Sequence, residues 1–122
     1  MKKTVLGLSL LLSSSYLNAV SDVDALVDKV EPDVIKWRHH FHEFPELSNR
    51  EFNTAKYITE FLHTLDLKVT TGVAKTGVVA VLDTGKPGPV VALRADMDGL
   101  PVPEQNALSW KSEQTAEYSG KS

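Results

Sequence analysis

Two carboxylates two residues apart, Asp96 and Asp98, lie in the strongest chemical signal of the chain, Leu93-Arg94-Ala95-Asp96-Met97-Asp98-Gly99-Leu100-Pro101, with Glu104 close behind. They follow the apolar, β-branched run of residues 90–93, so they are expected just past the C-terminal end of a strand. In open α/β sheets that edge is where ligands and metals bind. Carboxylate oxygens suit hard or borderline divalent cations, and a carboxylate can also stand behind a metal-bound imidazole and orient it. A calcium loop is excluded, because Pro101 falls where the invariant glycine belongs and Ala107 where the bidentate glutamate belongs.

Other readings of the pair stay open on these residues alone. Asp-Met-Asp-Gly after an apolar strand resembles the nucleophile and acid of haloacid-dehalogenase-type phosphatases. That family wants Thr or Val where Leu100 stands, and it places the motif on its first strand. Two solvated aspartates in a turn are the plainest reading.

A second cluster is Trp37-Arg38-His39-His40-Phe41-His42-Glu43-Phe44-Pro45-Glu46-Leu47-Ser48, followed by Glu51 and Thr54. His39 and His42 are about one helical turn apart, a spacing that can bind zinc, but the HExxH arrangement is absent. Residues of these types more often cap a helix end and pair with acids.

The elements that must hold these clusters can be read from periodicity. Val23, Leu26, Val30, Val34, Trp37, Phe41 and Phe44 recur at three- and four-residue steps and predict one apolar helix face. Ser21 and Asp24 fit a capping box at its start. Pro32 either kinks this helix or opens a second one, and Pro45 ends it. Ser48 and Glu51 predict the capping box of a further helix, with Phe52, Ala55, Ile58, Leu62 and Leu65 as its stripe and an end near Asp66-Leu67. A short strand is expected at residues 68–71 and a loop at 72–77. Residues 78–82 and 90–93 then read as a hairpin around Asp83-Thr84-Gly85-Lys86-Pro87-Gly88-Pro89, its second strand buried on both faces. The expected class is α/β: two helices followed by a β-hairpin or three short strands.

Residues 1–19 stand apart. Lys2-Lys3, an apolar run over residues 5–12 and a small, polar stretch ending in Ala19 form the three-part pattern of a secretory signal peptide, with cleavage after Ala19. The run is too short for a transmembrane anchor. The expected mature chain, residues 20–122, is therefore exported, periplasmic or secreted, and free of the membrane. It would lose two lysines and no acid, and so become more acidic than the −3 of the whole chain. With 42% hydrophobic and 24% charged residues in 122, the composition is that of one small globular domain. There is no basic stripe beyond Lys2-Lys3 to bind nucleic acid and no cysteine to form a disulfide.

Taken together, the two clusters resemble the metallo-amidohydrolase family of hippurate hydrolases, N-acyl-amino-acid amidohydrolases and auxin-conjugate hydrolases, kin of aminoacylase and carboxypeptidase G-type enzymes. That family's opening motif falls in register on Arg38, His42, Pro45, Glu46, Leu47, Ser48, Glu51 and Thr54. Its next landmark falls on Leu93, Arg94, Ala95, Asp96, Met97, Asp98, Leu100, Pro101 and Glu104, with Gly99 in the variable place. The resemblance runs from about residue 24 to residue 120.

The resemblance implies the N-terminal part of a zinc-peptidase-like catalytic domain and hydrolysis of the amide bond of N-acyl amino acids or related peptides. It also implies two divalent metal ions, zinc or manganese, in the full-length enzyme, and a homodimer built through a lid domain that this chain lacks. Asp98 corresponds to an aspartate that orients a metal ligand, and Asp96 to a supporting position. Arg38, His42, Pro45, Glu46, Glu51, Arg94, Pro101 and Glu104 carry over as motif residues with structural roles. The family's Met-His-Ala-Cys-Gly-His-Asp metal segment would begin after Ser122, so no metal ligand is expected within this chain. The chain alone is expected to be inactive. The alternative from another class is a small periplasmic binding or structural protein without catalysis.

Overall fold

The structure, a computed structural model, describes residues 14–119, with side chains from Asp22 onward. The first thirteen residues of the expected signal peptide lie outside the described residues. Four elements follow in order: α1 (Ser14–Glu43), α2 (Phe52–Leu62), β1 (Lys68–Val73) and β2 (Gly77–Val81). The chain divides into two units with the boundary after Arg38. Among the described residues no helix is long and apolar enough to cross a membrane.

The first unit is helical. α1 is already helical at Ser14, the first described residue and ahead of the expected Ser21–Asp24 box, and it runs without interruption through Pro32, so no second helix starts there. Its apolar residues Val23, Leu26, Val30 and Val34 keep the predicted spacing and are exposed.

In the second unit α1 finishes as foreseen. Phe44 still donates its N–H to the His40 carbonyl at 3.0 Å, and Pro45 ends the repeat by driving the residue before it out of the α region. α2 starts one residue after Glu51 and stops at Leu62, short of the expected Asp66. Its last turn tightens, with Thr64 N–H on the Phe61 carbonyl and Leu65 N–H on that of Leu62.

The hairpin is not the expected one. β2 pairs antiparallel with the strand before it, Lys68 opposite Val81 and Thr71 opposite Val78, with an irregularity between Thr71 and Val73. Residues 90–93 form no strand, and Val90, Val91 and Leu93 are 96%, 81% and 98% exposed where burial on both faces was expected. Two physical reasons favour the observed pairing. The β1–β2 connection is short, whereas the 83–89 connection holds two prolines that cannot donate to a ladder. That connection also turns on itself, with Gly85 N–H bonded to Asp83 Oδ1 at 2.8 Å and Lys86 N–H to Thr84 Oγ1 at 3.3 Å. The tight turn places Ala74 and Lys75 at φ of 50° and 93°. A Cβ on Gly77 would stand 2.6 Å from the Val73 carbonyl oxygen, so the neck of the hairpin requires glycine.

α2 lies against both strands. Among the described residues no hydrophobic side chain is buried; the buried residues are Glu51, Thr54 and Thr76, each 7% exposed. The interior is a polar junction at the start of α2.

Candidate functional site

The junction is built from two carboxylates on either side of the α2 N-terminus. The Glu51 side chain accepts the Thr76 hydroxyl at 2.8 Å, tying the hairpin turn to the helix. It makes no capping bond, and Ser48 is not the cap, so the expected box is replaced. Glu46 does the capping instead. Its Oε1 accepts the Asn53 N–H at 3.2 Å and the Asn53 side-chain amide at 2.8 Å, and its Oε2 accepts the Thr54 N–H at 2.8 Å. A carboxylate here satisfies the orphan donors of the first turn and faces the positive end of the helix dipole.

The same residue reaches the aspartate loop. The Glu46 carbonyl accepts the Gly99 N–H at 2.7 Å, and Leu47 and Gly99 form an isolated parallel bridge. A Cβ on Gly99 would come within 2.7 Å of the Pro45 Cβ, which measures how closely the two segments meet. Segments more than fifty positions apart in the chain, Pro45-Glu46-Leu47 and Asp98-Gly99, are thus in direct contact.

A second tether lies five residues beyond Gly99. His42, in the last turn of α1, and Glu104 are joined through Nε2 and Oε1 at 2.6 Å. Glu104 also accepts the Ser112 N–H at 2.9 Å and the Asn106 side-chain amide. The Ser112 hydroxyl donates to the Glu43 carbonyl at 3.1 Å. Trp110 packs on the same helix end, stacked on His39 at 4.4 Å and edge-on to His42 at 4.9 Å. His40 instead stacks on Tyr57 of α2 at 4.1 Å.

These bonds set the charges. The His42 hydrogen bond holds the Glu104 carboxyl below its ordinary value, with smaller help from Ser112 and Asn106. Partial burial pushes Glu46 up, but the Thr54 and Asn53 donors outweigh it and its net shift is downward. Glu51 behaves likewise, its burial outweighed by nearby backbone N–H groups and by Thr76.

The aspartates themselves stand in the open. Asp96 pairs with Arg94, two residues before it, in an exposed contact. Asp98 is exposed and makes no hydrogen bond or ion pair among the described residues. Pro101 lies on an exposed bend, and Arg38 is exposed on α1. Among the described residues no three His, Asp or Glu side chains converge as a metal site would require. A groove of about 550 Å³ beside the second tether is lined by Glu43, Phe44, Asn106, Leu108 and Lys111, and neither aspartate borders it. The structure therefore joins His42 to Glu104 and Pro45-Glu46-Leu47 to the aspartate loop, and leaves Arg94, Asp96 and Asp98 on its surface. Asn53, Thr76, Trp110 and Ser112 were not foreseen. Only the placing of Asn53 and Thr54 after Glu46-Leu47-Ser48 could have signalled a cap.

No protein-family profile matches the chain. Individual proteins do. It is 44% identical over 91 residues to an N-acyl-L-amino acid amidohydrolase of Geobacillus stearothermophilus, covering 75% of this chain and 25% of that protein. It is 47% identical over 87 residues to the thermostable carboxypeptidase 1 of Saccharolobus solfataricus, covering 70% and 22%. A crystal structure described as that of an aminohydrolase from methicillin-resistant Staphylococcus aureus superposes with a TM-score of 0.72 at 40% identity, over 76% of this chain and 25% of that one. The chain is homologous to part of the amidohydrolase/peptidase family and spans about a quarter of the length of the curated relatives it matches.

Proposed function

We propose that this chain supplies one wall of a hydrolase that cleaves the C–N bond of N-acyl amino acids or related peptides, with Asp98 as the orienting carboxylate. The observation that carries the proposal is the docking of the Asp98-Gly99 peptide on Glu46. It brings the two motifs shared with the amidohydrolases into one structure, with Asp98 held at its edge and facing solvent. Relatives named as an amidohydrolase, a carboxypeptidase and an N-acetyl-L-cysteine deacetylase support the same reaction class. A negative charge fixed at such an edge orients a ligand or a substrate group by electrostatics rather than by covalent chemistry.

Two divalent metal ions, zinc or manganese, are the cofactor expected of the complete enzyme. In this reading the chain contributes positioning, through Asp98, rather than metal ligands. Export through residues 1–19, inactivity of the chain alone and a homodimeric complete enzyme belong to the same proposal.

A chimera tests it. The matched 91 residues of the Geobacillus amidohydrolase are replaced by those of this chain, and release of amino acid from an N-acetyl amino acid is measured. Hydrolysis by the chimera, and none by the 122-residue chain, is the expected outcome. Asp98→Asn should lower turnover or metal affinity by about 10–100-fold, and Asp96→Asn by less. A chimera that hydrolyses phosphate esters and loses this with Asp96→Asn would sink the proposal in favour of a phosphatase.

A further inference from the structure

We infer that Glu46 is a positioning residue for Asp98, coupling the start of α2 to the aspartate loop through the two ends of one residue. At one end, both carboxylate oxygens are engaged: Oε1 by the Asn53 N–H and side-chain amide, Oε2 by the Thr54 N–H. Bonds to an ionised acceptor are the strong kind, and using both oxygens fixes the direction of the side chain. At the other end, the Glu46 carbonyl accepts the Gly99 N–H at 2.7 Å. That N–H belongs to the peptide unit joining Asp98 to Gly99, so the bond fixes the plane on which the Asp98 Cα sits.

Among the described residues no other bond reaches so close to Asp98. The His42–Glu104 contact takes hold six residues downstream, and the Arg94–Asp96 contact is exposed and local. Releasing the Glu46 carboxylate frees its backbone to rotate, and the oxygen that holds Gly99 rotates with it. The meaning of this coupling for catalysis rests on the amidohydrolase reading, but the coupling itself does not.

The test uses the 122-residue chain and needs no turnover. Amide exchange of Gly99 and the carboxyl-carbon NMR signal of Asp98 are followed in the unaltered chain, Glu46→Ala and Glu46→Gln. Thr59→Ala serves as the control, since it removes only a hydroxyl bond to the Ala55 carbonyl inside α2. Glu46→Ala should speed exchange at Gly99 on the order of tenfold and move the Asp98 signal. Glu46→Gln keeps an acceptor oxygen but loses the charge, and should speed Gly99 by about threefold. Thr59→Ala should leave Gly99 unchanged. Should Glu46→Ala fail to fold, the Glu46→Gln arm decides. Unchanged Gly99 exchange in the Glu46 variants overturns the inference, and so does an equal acceleration in Thr59→Ala, which would mean general loosening. Failure of the hydrolase reading would appear only in the chimera assay, which this readout does not touch.

Discussion

The start of α2 and residues 90–93 are opposites. The first is made of polar groups and is the most buried place among the described residues, with Glu51, Thr54 and Thr76 each 7% exposed. The second is made of apolar groups and is nearly all surface. Hydrogen bonds can be completed by neighbours a few residues away, so the junction assembles from what the chain has at hand. An apolar run becomes interior only when enough surface is brought against both its faces. Among the described residues, which bury no apolar side chain, directed polar bonds hold the junction.

The largest effect should follow from cutting the junction. Glu51→Ala leaves the buried Thr76 hydroxyl without its acceptor, at a cost of about 1–3 kcal/mol. It should appear as lost amide protection in both α2 and the hairpin turn. Adding Thr76→Val removes the stranded hydroxyl and should recover part of the loss. If the two losses simply add, Glu51 and Thr76 are not a coupled pair and the junction does not hold the hairpin.

Acid attacks the same bonds. Glu46, Glu51 and Glu104 all have folded values below the ordinary 4.5. A carboxyl with a depressed folded value stabilises the fold above its unfolded value, and this contribution disappears as pH falls through the folded one. Protection of the Thr54 and Gly99 amides, corrected for intrinsic exchange, should therefore be level between about pH 7 and pH 5 and decline below about 4.5. Residues 90–93 lack carboxylates and should not respond. Protection at Gly99 that persists at pH 3 would show that its contact with Glu46 does not depend on the carboxylate.

The contrast also explains what could be read in advance. The end of α1 at Pro45 and the existence of α2 were legible, because proline chemistry and helix periodicity act over short range. The contact between the two motif segments, more than fifty positions apart, was not foreseen. Nor was the hairpin partner of β2. Residues 78–82 carry the same pattern whichever neighbour they take, and the turn that decides it uses Ala74 and Lys75 at positive φ, with no Asn-Gly to announce it. The cap was misplaced for a related reason. Ser48 has the spacing of a capping residue, but Glu46 is longer and reaches the Asn53 and Thr54 N–H groups from outside the helix. The burial expected of residues 90–93 was read from composition alone, and composition cannot supply the covering surface. Asp98 was read as lying just past the end of a strand at a sheet edge; residues 90–93 form no strand, and Asp98 lies on an exposed loop instead.

A smaller effect is expected at the second tether. His42 is partly exposed, so His42→Gln should cost little stability, as surface pairs generally do. In the chimera it should leave turnover nearly unchanged, because His42 holds Glu104 and not Asp98. Loosening confined to residues 104–112, with α2 intact, is the outcome expected by hydrogen exchange. A fall in turnover as large as that of Asp98→Asn would make the second tether part of the site.

The smallest effect on the fold, and the sharpest test of the comparison, lies in residues 90–93. Val90 and Leu93 are almost fully exposed, and the chain stabilises nothing through them. Replacing both by Asp should change the protection of α2 and the hairpin by less than about 0.5 kcal/mol, as for surface positions away from special features. Association should respond differently. An uncovered apolar, β-branched run is a template for pairing with another chain, so the unaltered protein should form oligomers as its concentration rises, and Val90→Asp with Leu93→Asp should delay this. Light scattering over a concentration series, read beside hydrogen exchange on the same samples, separates the two effects. A chain that stays monomeric in both forms, yet loses protection in α2 when these residues are changed, would show that they pack within the fold after all. The division into a polar interior and an uncovered apolar run would then be wrong.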